Sequence, residues 1–138
     1  HLDAGYTPLF PFGHGLSYAY FDYDHLRVSA HELKPGETIT ISVELTNTSR
    51  IAASEVVQLY VRDLVGNVTR PVKELKGFRR IYLEPEETVT VRFELHTDDL
   101  AFYGRNMQLM TEPGDFHVWV GGSSEAELMT EFRIVDNE

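Results

Sequence analysis

An antiparallel β-sandwich of about seven strands is the fold class this sequence predicts, on three observations. Apolar and polar residues alternate along most of the chain from residue 26 onward, the period-two signature of strands with one buried and one wet face. Pro, Gly, Asn and Asp interrupt the alternation at short intervals. No long helical period is present. The one helical hint, TDDLAFYG at 97–104, offers Thr97 as a cap for a single turn and is too short for a framework helix.

The first strand is expected at 26–31. LKPGE at 33–37 then makes a turn, with Pro35 presetting φ and Gly36 supplying the positive φ of a type II turn. TITISVELTN at 38–47 is the clearest strand: Ile39, Ile41, Val43 and Leu45 face inward, and Thr, Ser and Glu face out. At 55–63, Val57, Leu59 and Val61 form the next inward row. A strand follows around 75–83, with Leu75, Phe78, Ile81 and Leu83 assigned to the core. LEPEE at 83–87 repeats the turn chemistry, but Glu86 replaces the glycine and points to a type I turn. TVTVRFEL at 88–95 directs Val89, Val91, Phe93 and Leu95 inward. After an EPG turn, Phe116, Val118 and Val120 share one face and Trp119 takes the other, and 128–135 closes the set.

The leading segment is different. PLFPFGHGLSYAYFDY at 8–23 lacks either periodicity, and seven of the chain's sixteen aromatic residues lie in residues 6–23. Pro8, Pro11, Gly13 and Gly15 rule out a central strand there. Its rings still have to leave water, each offering about 150–250 Å² of surface. The expected division is a linker and interdomain segment at 1–25 followed by the sandwich at 26–138.

A chain of 138 residues suits one domain. Its formal charge of −10 repels phosphate backbones and anionic lipid, which argues against nucleic acid and membrane surfaces as partners. With no cysteine, stability rests on packing rather than disulfides. No run approaches the roughly 20 apolar residues of a membrane span, and no signal peptide is visible. The opening at His1, without Met, reads as a cut end.

Four stretches carry a resemblance: PLFPFGHGLSY at 8–18, EVVQLYVRD at 55–63, RPVKELKGFRRIYLEPEE at 70–87 and EPGDFHVWVG at 112–121. In this order they resemble the C-terminal fibronectin type III-like domain of glycoside hydrolase family 3, above all that of bacterial periplasmic-type β-glucosidases. The resemblance implies a fibronectin type III, immunoglobulin-like sandwich and a periplasmic or secreted location. It also implies that residues 8–18 lead out of a preceding α/β domain. Ala19, where threonine is frequent, and Glu86, where glycine is usual, depart from the family pattern. The nucleophile and acid/base carboxylate of that family's retaining β-glycosidases have no matching positions in this chain.

The implied role is therefore a non-catalytic accessory domain that packs against catalytic domains of the same polypeptide. Phe10, Phe12, His14, Leu16, Tyr18 and Phe21 are the interdomain packing candidates. Two other readings stand beside it. Trp119 and exposed tyrosines would stack on sugar rings in a carbohydrate-binding module, and the exposed aromatics would pair two chains in a homodimer. The acidic pairs Asp22/Asp24, Glu86/Glu87 and Asp98/Asp99 sit in turns or polar stretches and read as solvated surface rather than a glycosidase pair. The six histidines show no metal-ligand spacing, and HELKP at 31–35 fails the zinc-protease pattern at Pro35. No metal or other cofactor is expected. Arg70, Lys73, Lys76, Arg79 and Arg80 concentrate positive charge in an acidic chain and suit either an acidic neighbour or a solvated strand face. Asn47-Thr48-Ser49 and Asn67-Val68-Thr69 fit the glycosylation pattern.

Overall fold

A computed structural model of the chain describes residues 6–8, 18–64, 73–100, 102–103, 109–110 and 114–135. Within them lie the strands β1 (Tyr6–Pro8), β2 (Tyr18–Val28), β3 (Glu32–Leu33), β4 (Thr38–Asn47), β5 (Ala53–Asp63), β6 (Glu74–Leu83), β7 (Thr88–His96), β8 (Phe102–Tyr103), β9 (Leu109–Met110), β10 (Gly114–Gly121) and β11 (Met129–Ile134), with a 3-10 turn at Thr97–Leu100. Eleven strands thus stand where about seven are expected, the excess being mostly short pieces at the edges. One sheet runs β1-β2-β4-β7 and the other β3-β11-β10-β5-β6, with β8 and β9 paired separately. All pairs are antiparallel except β3 with β11.

The two large sheets bury the rows that the alternation predicts. Ile39, Ile41, Val43 and Leu45 on β4 lie opposite Leu95, Phe93, Val91 and Val89 on β7. Val57, Leu59 and Val61 on β5 join Phe116, Val118 and Val120 on β10 in one core cluster. Phe116 and Phe132 stack within it, centroids 5.2 Å apart and planes at 8°. Such interdigitated faces provide most of the apolar burial of a sandwich.

β2 begins at Tyr18 and pairs with β4 from Phe21 onward, so the expected domain boundary at residue 26 falls inside a paired strand. The sequence hides this because the parity changes midway. Phe21 and Tyr23 point to the core side opposite Asn47 and Leu45, a bulge follows between Asp24 and Arg27, and Val28 then points inward opposite Ile41. His25, with φ of 55°, makes the kink, and its backbone N–H donates to Asp24 Oδ1 at 2.8 Å. β1 extends this sheet through Tyr6↔Tyr20 and Pro8↔Tyr18, so residues inside 1–25 already belong to it.

The two predicted turns prove alike. Glu37 N donates to Lys34 O and Glu87 N to Glu84 O, both at 3.1 Å. Gly36 has φ of 97° and Glu86 φ of 64°, so the type I turn expected at Glu86 is corrected to a left-handed one. The surroundings hold it there: Glu86 N donates to Asn47 O at 2.6 Å, and Glu87 Oε1 accepts from Glu84 N at 2.8 Å. A side chain in that region costs roughly 1–2 kcal/mol.

Asn47 is fully buried where β4 ends. Its Nδ2 donates to Ile51 O at 2.8 Å and Leu83 O at 3.1 Å, and its Oδ1 accepts from Ser49 N at 2.9 Å. One side chain therefore ties the last residue of β4 to the last residue of β6 in the opposite sheet. Glu55 is buried nearby and accepts from Tyr23 OH at 2.7 Å, linking β5 to β2 across the core. Gly122 leaves room for that carboxylate, since a Cβ there would stand 2.7 Å from Glu55 Oε2.

Two stability outcomes follow from these contacts. Glu86→Gly should raise the unfolding free energy by about 1 kcal/mol in urea titration by relieving the left-handed side chain; an unchanged or lower midpoint would contradict that conformation. Asn47→Ala should lower it by about 3 kcal/mol, because buried carbonyl and amide groups lose partners; a loss below about 1 kcal/mol would show that the corner is not held by these bonds.

Candidate functional site

The outward faces of the two large sheets differ in kind. On the four-stranded sheet every outward pair between β4 and β7 is polar: Thr38 with His96, Thr40 with Glu94, Ser42 with Arg92, Glu44 with Thr90 and Thr46 with Thr88. Asp22, Asp24 and Arg27 continue that surface on β2. Such a face meets water as an antiparallel sandwich should.

The five-stranded sheet carries two zones instead. At one end Arg133 pairs with Asp115, Glu131 with His117, and His117 with Arg62. Arg133 Nε lies 2.7 Å from Asp115 Oδ1, a bond that holds the guanidinium above its ordinary value. Beside it is a shallow recess lined by His31, Glu32, Asp115, Glu131, Phe132 and Arg133. Within it His31 Nδ1 lies 3.2 Å from the Glu131 backbone O, beside the Arg133–Asp115 pair.

The other end is apolar. Register places Met129, Trp119, Tyr60 and Leu75 in one transverse row over β11, β10, β5 and β6, followed by Phe78 beside Gln58, Val56 beside Arg80, and Tyr82 beside Ser54. Phe78 is 66% exposed, Tyr82 60%, Leu75 49%, Met129 44% and Val56 41%. Leu75 and Phe78 are thereby corrected from core to surface. For Leu75 the cause is a bulge: Leu59 pairs with Gly77 and Tyr60 with Leu75, so Lys76 is skipped and the parity of β6 switches; Phe78 lies on the Leu83 side of the bulge, where plain alternation from Ile81 and Leu83 already turns it outward. Leu83 does reach the core, and Ile81 packs against it. Gly77 sits over the Phe93 ring, where a Cβ would come within 3.3 Å of Cδ1.

Trp119 is not the open platform expected of a sugar-stacking residue. Only 7% of it is exposed. Arg62 Cζ lies 4.8 Å and Lys73 Nζ 4.5 Å from the ring centroid, and His117 meets it edge-on at 5.8 Å. Lys73 Nζ is anchored by Ser124 O at 2.7 Å. The indole is thus covered by its own domain's cations.

Of the interdomain candidates, Phe10, Phe12, His14 and Leu16 lie outside the described residues, and Tyr18 is placed as a backbone position paired with Pro8. Phe21 is fully buried in the sandwich's own core, which corrects its assignment to an interdomain contact: its ring has no face left for a neighbour. The acidic pairs serve turns and bends. Asp24 Oδ1 accepts from His25 N, Glu87 Oε1 from Glu84 N and Asp99 Oδ2 from His96 N, each at 2.8 Å. Among the described residues no group of His, Asp and Glu is arranged to hold a metal ion. Of the basic cluster, Arg70 lies outside the described residues, Lys76 Nζ pairs with Glu74 at 3.2 Å, and Arg79 Nη1 donates to Arg92 O of β7 at 2.8 Å, bridging the two sheets. The sequon at Asn47 is closed to modification by burial, and Asn67 lies outside the described residues.

The residues that sequence reasoning missed are those of the apolar outer zone. A signal was present in ELKGFRRIYL, where Phe78 and Tyr82 share a parity opposite to that of Ile81 and Leu83. One strand with large apolar residues on both parities has both faces covered, or has one apolar face left open.

The profile of the family described as "Fibronectin type III-like domain" matches residues 55–124. Among curated relatives, a "Beta-xylosidase" of Formosa agariphila is 47% identical over 121 residues, covering 88% of this chain and 17% of the relative. A "Periplasmic beta-glucosidase" of Salmonella typhimurium is 36% identical over 135 residues, covering 98% and 18%. A solved β-glucosidase from Erythrobacter marinus superposes with a TM-score of 0.81 at 37% identity, over 94% of this chain and 17% of that one. The chain therefore spans about a sixth of the length of the curated relatives it matches.

The covered indole has a direct readout, because Trp119 is the sole tryptophan. Titration with cello-oligosaccharides or xylan should leave its fluorescence unchanged, whereas Arg62→Ala should shift the emission to the red. A saturable response to sugar would show that the ring is reachable after all.

Proposed function

Since the chain belongs to the fibronectin type III-like domain family, in the form associated with glycoside hydrolase family 3, we propose that it is a non-catalytic accessory domain of a β-glycosidase, packed against the catalytic domains and stabilising them. One observation carries the reading. Nearly all of this chain aligns with β-glucosidases and a β-xylosidase, yet it accounts for only 17% or 18% of their length. The described carboxylates support it, because one member of each acidic pair accepts a backbone bond, at the β2 bulge or at a turn, and Glu55 is closed inside the core by Tyr23. A glycosidase pair has to flank an open cleft that fits a sugar ring.

The accessory role is mechanical. A domain with its own closed core can cover apolar surface on a neighbour and hold neighbouring segments in register, since burial contributes about 25 cal/mol per Å² before ordering costs. In this reading the aromatic residues between β1 and β2, at 8–18, belong to that contact. The parent enzyme's location is periplasmic or secreted in this reading, a placement supported by the relative named as periplasmic.

Truncating the full-length enzyme after the position of Thr7 should lower its Tm by several degrees or drive it into aggregates, with a matching loss of activity on β-glycosides. Unchanged Tm and kcat/KM after truncation would overturn the proposal.

A further inference from the structure

We propose that the apolar outer zone of β5 and β6, built from Leu75, Phe78, Tyr82 and Val56 with Met129 at its margin, is the surface on which this domain docks against the catalytic portion of the same polypeptide. The inference rests on the accessory reading above and adds to it the face that makes contact. It is separate from the segment at residues 8–18.

The domain supplies its own control. Its four-stranded sheet turns only polar pairs between β4 and β7 to the outside, so nothing in this fold requires an apolar outer face. On the five-stranded sheet, by contrast, exposed Met129 and Leu75 end a register row whose middle is Trp119 and Tyr60, and Phe78, Val56 and Tyr82 lie in the neighbouring rows. Apolar groups that adjoin across strands form a patch rather than scattered exposure, and patches of this kind mark contact surfaces. β6 is an edge strand, so the zone runs to the rim of the sheet and a neighbour can reach it from the side.

Charge and chain length select the occupant. Cationic side chains lie in and beside the zone: Arg80, between Phe78 and Tyr82 on the outward face of β6 and opposite Val56, and Arg62 and Lys73 over Trp119, in a chain whose formal charge is −10. A second copy laid on this face would bring these cations against others like them, which costs association free energy. An acidic rim around an apolar centre is the complementary partner. The relatives hold more than four-fifths of their length outside the matched region, ample for a covering domain within the same polypeptide.

Hydroxyl-radical footprinting read by mass spectrometry tests this in the full-length enzyme, with the present chain as reference. Phe78, Tyr82 and Met129 should label several-fold more slowly in the enzyme than in the chain, while His96, its side chain 40% exposed on the polar sheet, serves as an internal comparison. The pair Leu75→Asp and Phe78→Asp should lower the Tm of the enzyme and leave that of the chain unchanged, since both residues are on the surface. Equal labelling in enzyme and chain overturns the docking face, and if truncation still lowers Tm the accessory reading survives it. Concentration-dependent protection in the chain alone, with a dimer in sedimentation, overturns it in favour of self-pairing.

Discussion

The structure depends on one constraint, that the inward rows of β4 and β5 must cover each other. Ile39, Ile41, Val43 and Leu45 on one sheet and Val57, Leu59 and Val61 on the other are all nearly or fully buried. Neither sheet could stay in water without its partner, because each would expose a continuous apolar face. β7 and β10 widen the same contact, and β2 and β11 close its flanks.

Polar side chains keep the sheets aligned once that contact forms. Asn47 bonds the end of β6 from the end of β4, Tyr23 reaches Glu55, and Arg79 reaches the backbone of β7. Each of these bonds runs between sheets rather than within one. Apolar packing alone tolerates sliding, whereas a buried amide or carboxylate without its partner costs on the order of 1–3 kcal/mol, so these groups fix the relative position of the layers.

The exteriors then separate by role. The polar face of the four-stranded sheet meets solvent, and at the charged end of the five-stranded sheet Arg133 pairs with Asp115 and His117 Nε2 lies 3.5 Å from Glu131, while His117 Nδ1 and Arg62 Nε are buried without a hydrogen-bond partner among the described residues. Among the described residues, the zone around Phe78 gathers most of the exposed large apolar side chains, which neither solvent nor the domain's own core accounts for. An accessory domain of a larger enzyme has use for such a face, and the similarity to β-glucosidases over a small fraction of their length supplies the setting.

Much of the fold was legible in the chain because period-two alternation is a local property. Rows such as 38–47 and 88–95 carry it without interruption, and their inward residues are those the pattern assigns. The family resemblance was equally local, resting on short motifs in order. Position relative to a partner strand is different in kind. Bulges at Asp24/Arg27 and Leu59/Tyr60 shift parity by one residue, so that Phe21 faces the core on a parity opposite to that of Val28 and Leu75 faces the surface on a parity that the rest of β6 turns inward. Glu86 accepts a left-handed φ because its amide meets Asn47 O, thirty-nine positions earlier in the sequence, and Trp119 is covered because Arg62 and Lys73 arrive from elsewhere in the chain. The sequence by itself determined which residues could form strands and what class of sandwich they build. Only the tertiary structure decided which face residues near a bulge take, because there facing is set by hydrogen-bond register with a distant strand and not by alternation along the chain.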